Sequence, residues 1–328
     1  MACNCCRLKS WRAVPGLLLL LVTVLVPREP LYAGKPDPQA ITLNDVIAAF
    51  EKRETIAATV ELRWDVTVHY EAGAVMSVEA ARQMRMRGKA EETGIPAAPV
   101  TVSYPSELTL KNDSTKYATQ TLRVEPMRTT ISLVPYSSSF DGSQSKSLMG
   151  STPKPRGSLL AERRNTDVDI PALMPLMLYY RPIAAPYATL NRKALKVVDK
   201  SVKIDGRPCV CVDDGRIRLY LDTEFALIPL AFQLRRRDGG LLLDGLIEYA
   251  PHAVLALAPK RFEVKRYGRE SITNPVETIR GELTQTRVGG PLPAGTFDLK
   301  FAPGTDVYDQ RTKKMLRVNP DGSQERIR

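Results

Sequence analysis

Histidine is almost missing. The 328 residues contain two, His69 and His252, so the commonest general base and metal ligand is in short supply. Cysteine is as scarce where it matters. Cys3, Cys5 and Cys6 fall at the extreme N-terminus, which leaves Cys209 and Cys211. Residues i and i+2 of a strand point the same way, but their Cα atoms lie about 6.5 Å apart, the long limit for a disulfide. The pair therefore reads as two small buried apolar residues, and a metal-binding thiol pair would need partners the histidines barely supply. There is no Gly-x-Ser-x-Gly elbow, no Rossmann or P-loop glycine pattern and no internal repeat. No Lys/Arg block is interleaved with aromatics, which argues against a nucleic-acid partner. The acidic pair Asp213-Asp214 could serve as acid and base or hold calcium, yet acids at turns usually cap backbone N–H groups. These absences exclude the recognisable nucleophile–base sets, and the chain reads as no enzyme, with no cofactor and no metal.

The first residues carry a different signal. Arg7, Lys9 and Arg12 form a basic stretch, Ala13 to Val26 is apolar, and Leu31-Tyr32-Ala33 offers a small residue for cleavage. The apolar run is short for a spanning helix, so residues 1–33 read as a secretory signal, with an uncleaved anchor as the alternative. Cleavage would remove four basic groups (Arg7, Lys9, Arg12, Arg28) and one acid (Glu29), and the net charge of +11 would fall to +8. An exported basic protein suits an anionic membrane surface as a neighbour. The basic residues are spread along the chain, however, as on a solvated face.

What is present is period-two alternation. Ala58, Val60, Leu62, Trp64, Val66, Val68 and Tyr70 share one face, and Thr59, Glu61, Arg63, Asp65, Thr67 and His69 share the other. This predicts one very long, half-buried strand. Ile217, Leu219 and Leu221, then Leu230, Phe232 and Leu234, repeat the pattern across a short break, as a hairpin does. Pro229 cannot donate to a ladder, so it belongs at a strand start or an edge. Further strands are expected over 103–111, 116–124, 129–140, 241–249 and 315–318, with a more polar one over 277–288 at an edge. Asp141-Gly142, Asp205-Gly206, Asp214-Gly215, Asp238-Gly239 and Asp321-Gly322 mark the turns. One antiparallel strand feeding the next makes a meander, and the helices a parallel sheet needs between strands are missing. Residues 151–157 read as a surface loop.

Two helices are expected. Thr42 caps one from Leu43 to about Arg53, with Asp45 in its first turn. The other, over Pro171 to Tyr180, is apolar nearly all round, with Pro175 tolerable only in the first turn. A helix of that kind must be buried or must cover something apolar. It is either a lid over a lipophilic cavity or an ordinary core helix. A basic helical insertion is expected over 75–92.

The strand–Asp222–turn–Pro229–strand order resembles exported carriers of the LolA/LolB type and the related LppX and RseB domains. So do the helix before a long first strand, the turn at Asp141-Gly142, the strand entry Pro259-Lys260-Arg261-Phe262 and the closing run Phe297 to Thr305. The resemblance covers roughly Leu43 to Asp309. It implies a mainly β fold: a curved antiparallel sheet or half-barrel, its concave face covered by helices and holding acyl chains. The chain departs from the group in the 75–92 insertion, in its length and in having no arginine that matches the group's regulatory one.

The expected protein is therefore a periplasmic or envelope module. Residues 34–328 form one domain, and lipid or a lipidated protein is its ligand. The expected cavity lining is Val60, Leu62, Trp64, Val66, Leu219, Leu221 and Phe232 on the sheet, with Leu173, Met174, Met177 and Tyr180 on the helix. No polar motif is needed, because each buried CH₂ of an acyl chain contributes about 0.8 kcal/mol. A monomer is expected. A protein-binding sensor or structural module and an unrecognised hydrolase are the rival readings.

Overall fold

Sixteen strands form one sheet in the order β16-β15-β14-β6-β5-β4-β3-β2-β1-β13-β12-β11-β10-β9-β8-β7. The computed structural model describes residues 37–72, 98–124, 131–150, 155–160, 170–185, 188–268 and 274–327. The expected signal and the 75–92 insertion lie outside them. The strands are β1 (Thr59–Tyr70), β2 (Val100–Lys111), β3 (Ser114–Val124), β4 (Ile131–Phe140), β5 (Ser145–Met149), β6 (Arg156–Leu160), β7 (Lys196–Ile204) and β8 (Arg207–Asp213). They continue with β9 (Ile217–Asp222), β10 (Pro229–Arg235), β11 (Leu241–His252), β12 (Ala256–Tyr267), β13 (Pro275–Val288), β14 (Asp306–Asp309), β15 (Lys314–Val318) and β16 (Gln324–Arg326). From β7 to β13 the sheet is the expected meander. β13 then pairs with β1, antiparallel, and the meander resumes through β6.

The alternation in β1 becomes burial. Every second residue from Val60 to Tyr70 is buried, and those between face outward. β13 reads as an edge strand from its polarity, but it lies between β1 and β12. Apart from Glu277, which is buried beside Arg266, its charged residues occupy the outward face, so polarity there reports solvent and says nothing about pairing. The segment read as a loop over 151–157 is also corrected at its end, where Arg156 and Gly157 open β6. Gly157 pairs with Leu148 and Val307, and its missing Cβ leaves room for the Phe301 ring. β6 pairs with β14 in parallel. Beside it Leu159, Val307 and Val318 form a small second core with Phe301 and Leu316.

The sheet is open and curled, a half-barrel. Two glycines permit tight packing on its inner wall. Phe232 faces Gly245 across β10–β11, and Phe262 faces Gly281 across β12–β13. Each ring occupies the place of its partner's missing Cβ, as aromatic residues do over strand glycines. Pro229 is the first residue of β10, where its missing N–H costs nothing in the ladder.

Two helices cover the concave face. α1 (Leu43–Ile56) opens with a capping box: the Thr42 N–H donates to Asp45 Oδ2 at 2.8 Å, and the Asp45 N–H donates to Thr42 Oγ1 at 3.3 Å. α2 (Met174–Tyr180) is one turn shorter than the expected span, because residues 171–173 form a turn. Pro175 sits in its first turn, where no intrahelical partner for its nitrogen exists. All seven residues of α2 are buried, and one core joins α1, α2 and the inner faces of β1, β2, β3, β4 and β8 to β13.

Candidate functional site

The inner wall is built by period two. Val60, Leu62, Trp64 and Val66 project from β1, Leu219 and Leu221 from β9, and Phe232 from β10, all at 1% exposure or less. Leu173, Met174, Met177 and Tyr180, at or on α2, are buried in the same core, at 3% exposure or less. The structure thus brings all the expected lining residues together, with α2 filling the concavity against the wall. Two open hollows of about 410 and 440 Å³ exist elsewhere, one beside Asp113, Asp141 and Phe297, the other beside Lys146, Lys300 and Phe301. Neither touches a residue of the expected lining.

Polar contacts hold α2 in place. The Arg181 side chain, just past the helix, is 2% exposed. It donates to the carbonyls of Ala57 at 2.9 Å, Ala58 at 3.0 Å and Tyr180 at 2.7 Å. Ala57 is the C-cap of α1, so a cation meets the negative end of that helix and satisfies a terminal carbonyl. Glu54 answers from α1, with Oε1 accepting from the backbone N–H groups of Ile183 and Ala184, both at 2.8 Å. Burial raises the Glu54 pKa above the ordinary glutamate value, against the lowering pull of those two amides. The Tyr179 hydroxyl donates to the Leu257 carbonyl of β12. The two helix ends are therefore cross-linked by reciprocal charge-assisted bonds, stronger than neutral ones.

The concavity also contains polar groups that periodicity does not reveal. Arg53, buried on α1, lies over the Tyr179 ring, 4.8 Å from its centroid, and beside Phe50. Tyr179 packs on Tyr180 and on Tyr249 at centroid distances of 4.8 and 5.5 Å. Burial pushes the Tyr180 and Tyr249 hydroxyls well above the tyrosine range. Trp64 stacks on Tyr117, and its Nε1 is buried with no hydrogen-bond acceptor among the described residues. An unpaired buried donor is rare and costly, and an incoming carbonyl or carboxylate oxygen would satisfy it.

The candidate reactive groups fall elsewhere. His69 stands on the solvent face of β1, with Nδ1 2.9 Å from Thr101 Oγ1 and Nε2 3.5 Å from Glu71. The row hydroxyl–imidazole–carboxylate is a cross-strand pair on an open surface, His69 lying opposite Thr101 in register. His252 closes the β11–β12 turn, its Nδ1 accepting from the N–H groups of Val254 and Leu255. Asp213 accepts from the Gly215 N–H, Arg218 and Arg235. Burial works to raise its pKa, but these donors hold it below the ordinary aspartate value. Asp214 accepts from the N–H groups of Asn191, Arg216 and Ile217. Both acids are turn caps. Cys209 and Cys211 are buried free thiols, each pushed up to about 11 by burial. Among the described residues no group of three or more His, Cys, Asp or Glu side chains is placed to hold a metal ion.

No protein-family model matches the chain, and neither does any curated protein. Solved structures do. One is described as an outer membrane lipoprotein-sorting protein domain from Vibrio parahaemolyticus, at 10% identity and a TM-score of 0.44, covering 77% of this chain and 95% of that one. A DUF1329 family protein from Desulfovibrio piger matches at 7% identity and 0.44, over 77% of this chain and 97% of the other. A LolA superfamily protein from Nitrosomonas europaea matches at 12% identity and 0.43, over 79% and 99%. Solved structures described as lipoprotein-sorting and LolA superfamily proteins are thus among those this chain is similar to, in outline.

Proposed function

We propose that the protein is a non-enzymatic, exported envelope protein that binds a lipid or the acyl chains of a lipidated protein between its curved sheet and α2. The observation that carries this reading is α2 itself. It is a seven-residue helix, apolar on every side, seated in an apolar concavity and fastened by polar bonds at and just past its C-terminal end. Such a helix is a plug that an apolar ligand can push aside.

Magnitudes decide how far it moves. Exposing Leu173, Met174, Leu176, Met177 and Leu178 costs about 10 kcal/mol at roughly 2 kcal/mol each. An acyl chain of about fourteen methylenes returns about 11 kcal/mol. The exchange is nearly balanced, so the Arg181 and Glu54 cross-links hold the closed state. A ligand then shifts the helix without ejecting it. The Trp64 N–H offers a donor for an ester or carboxyl oxygen.

Delipidated protein titrated with a fluorescent fatty acid tests the reading. Saturable binding near one per chain, weakened by Leu219→Arg in the wall, is expected. A flat titration with correctly folded protein would remove the carrier reading.

A further inference from the structure

Most hairpins of this sheet turn on polar, turn-forming residues: Asn112-Asp113, Asp141-Gly142, Asp205-Gly206, Asp214-Gly215, Asp238-Gly239 and Asp321-Gly322. Among the described turns two differ. The β9–β10 turn, Thr223 to Ile228, carries Phe225-Ala226-Leu227 at its tip after the polar Thr223-Glu224, and the β11–β12 turn reads Ala253-Val254-Leu255. Phe225 is 41% exposed and Val254 51%. Ala226, Leu227 and Ala256 hold left-handed backbone, at φ 50°, 53° and 61°. That conformation is unfavourable for residues with a Cβ and would suit glycine or asparagine. Both tips thus hold residues with a Cβ in left-handed backbone directly beside or two residues from the exposed Phe225 and Val254, and such outliers cluster at functional sites.

The tips are firmly built. The buried Asp222 accepts from the Glu224 N–H at 2.7 Å, and His252 Nδ1 caps Val254 and Leu255. The Tyr249 hydroxyl ties β11 to the Pro229 carbonyl at the start of β10. Strands alternate in direction, so both turns fall at the same end of the sheet. Sideways they are two strand spacings apart, about 10 Å, and the β11–β12 tip reaches further along the strand axis, since Ala231 pairs with Leu246 while β11 runs on to His252. The β7–β8 turn at the same end supplies Arg207, whose guanidinium lies 5.1 Å from the Phe225 ring centroid. The end also adjoins α2, because Tyr179 bonds the Leu257 carbonyl just past the second tip.

We propose that these two tips form a membrane-contacting rim that inserts Phe225 and Val254 into a lipid bilayer. Two convex tips of a few residues fall far short of the roughly 800 Å² per partner that a stable protein interface needs, whereas a fluid bilayer requires no matching surface. Acids Asp205 and Glu224 accompany Lys203 and Arg207 there, so the contact is apolar rather than driven by positive charge. Of the exposed large apolar side chains among the described residues, Phe225 and Val254 alone stand at hairpin tips, and an arginine beside an aromatic ring suits the headgroup level. The proposal does not require an acyl chain inside the sheet.

The full chain is sedimented with zwitterionic phosphatidylcholine vesicles in about 0.5 M salt, where attraction of the basic chain to charged surfaces is screened. The double variant F225D/V254D is expected to bind about tenfold or more weakly, with thermal unfolding and fluorescent fatty-acid binding unchanged. V254W is expected to add fluorescence that brominated phosphatidylcholine quenches beyond the wild-type level. Equal vesicle binding by wild type and the double variant would overturn the proposal, as would no added quenching in V254W. So would a wild-type dimer that the double variant splits without loss of vesicle binding. If fatty-acid binding is absent in wild type while vesicle binding is lost in F225D/V254D, the rim stands and the carrier reading falls.

Discussion

Replacing Arg181 by methionine should loosen α2 far more than the fold. The guanidinium makes two bonds across elements, to Ala57 and Ala58, and one local bond to Tyr180. Hydrogen bonds to charged groups contribute about 1.5 to 3 kcal/mol each, so the two cross-links hold the closed helix by about 3 to 6 kcal/mol. Methionine keeps the buried length but leaves the end of α1 without its donor. Taking the lower figure, the population with α2 displaced rises by about two decades, since 1.4 kcal/mol is tenfold. Two assays read this. Hydrogen exchange of residues 171–185 should accelerate by on the order of 100-fold, and association of a fluorescent fatty acid should quicken until opening is no longer limiting. Urea unfolding monitors the rest of the sheet and should shift less than α2 protection. If protection of α2 falls only in step with global stability, or probe association is unchanged, Arg181 is not the fastening described here.

Glu54 makes a pH-dependent contribution. Its folded pKa is raised by burial, so the folded state binds the proton more tightly than the unfolded one. Its contribution to stability is then fully present below the unfolded value near 4.5 and is lost as pH rises through the raised one. Urea melts should show this component in wild type and lack it in Glu54→Gln, which keeps an acceptor for Ile183 and Ala184. Glu54→Ala should loosen α2 at every pH. Gly281→Ala would place a methyl in the Phe262 ring, and overpacking costs about 1 to 3 kcal/mol, readable as a lower urea midpoint with an unchanged slope. Cys209 and Cys211, pushed to about 11 by burial, should resist alkylation at pH 8 until the protein unfolds, as peptide mapping would show.

The sheet was legible because its signals are local. Period two in β1 needs no knowledge of partners, and an Asp-Gly pair announces a turn from its own backbone preferences. Pairing is not local: the polar outward face of β13 hid a central strand whose neighbours are β1, some 220 residues earlier, and β12. Gly157 hid the start of β6, because the ring that fills its missing Cβ, Phe301, and one strand partner, Val307, lie far along the chain. The apolar wall and α2 were also readable from pattern. Their fastenings were not, since Arg181, Arg53 and Glu54 look like ordinary charged residues of a helix and a loop. Their partners are backbone groups and rings that only the fold brings near. The apolar tips at Phe225 and Val254 carried a readable anomaly, a hairpin without its turn residues.

Hydrogen exchange of residues 171–185, with and without saturating fatty acid, tests the central claim most directly. Faster exchange of α2 in the complex, with the strands as protected as before, is the predicted result. Ligand binding that leaves α2 as protected as in the free protein would contradict the account.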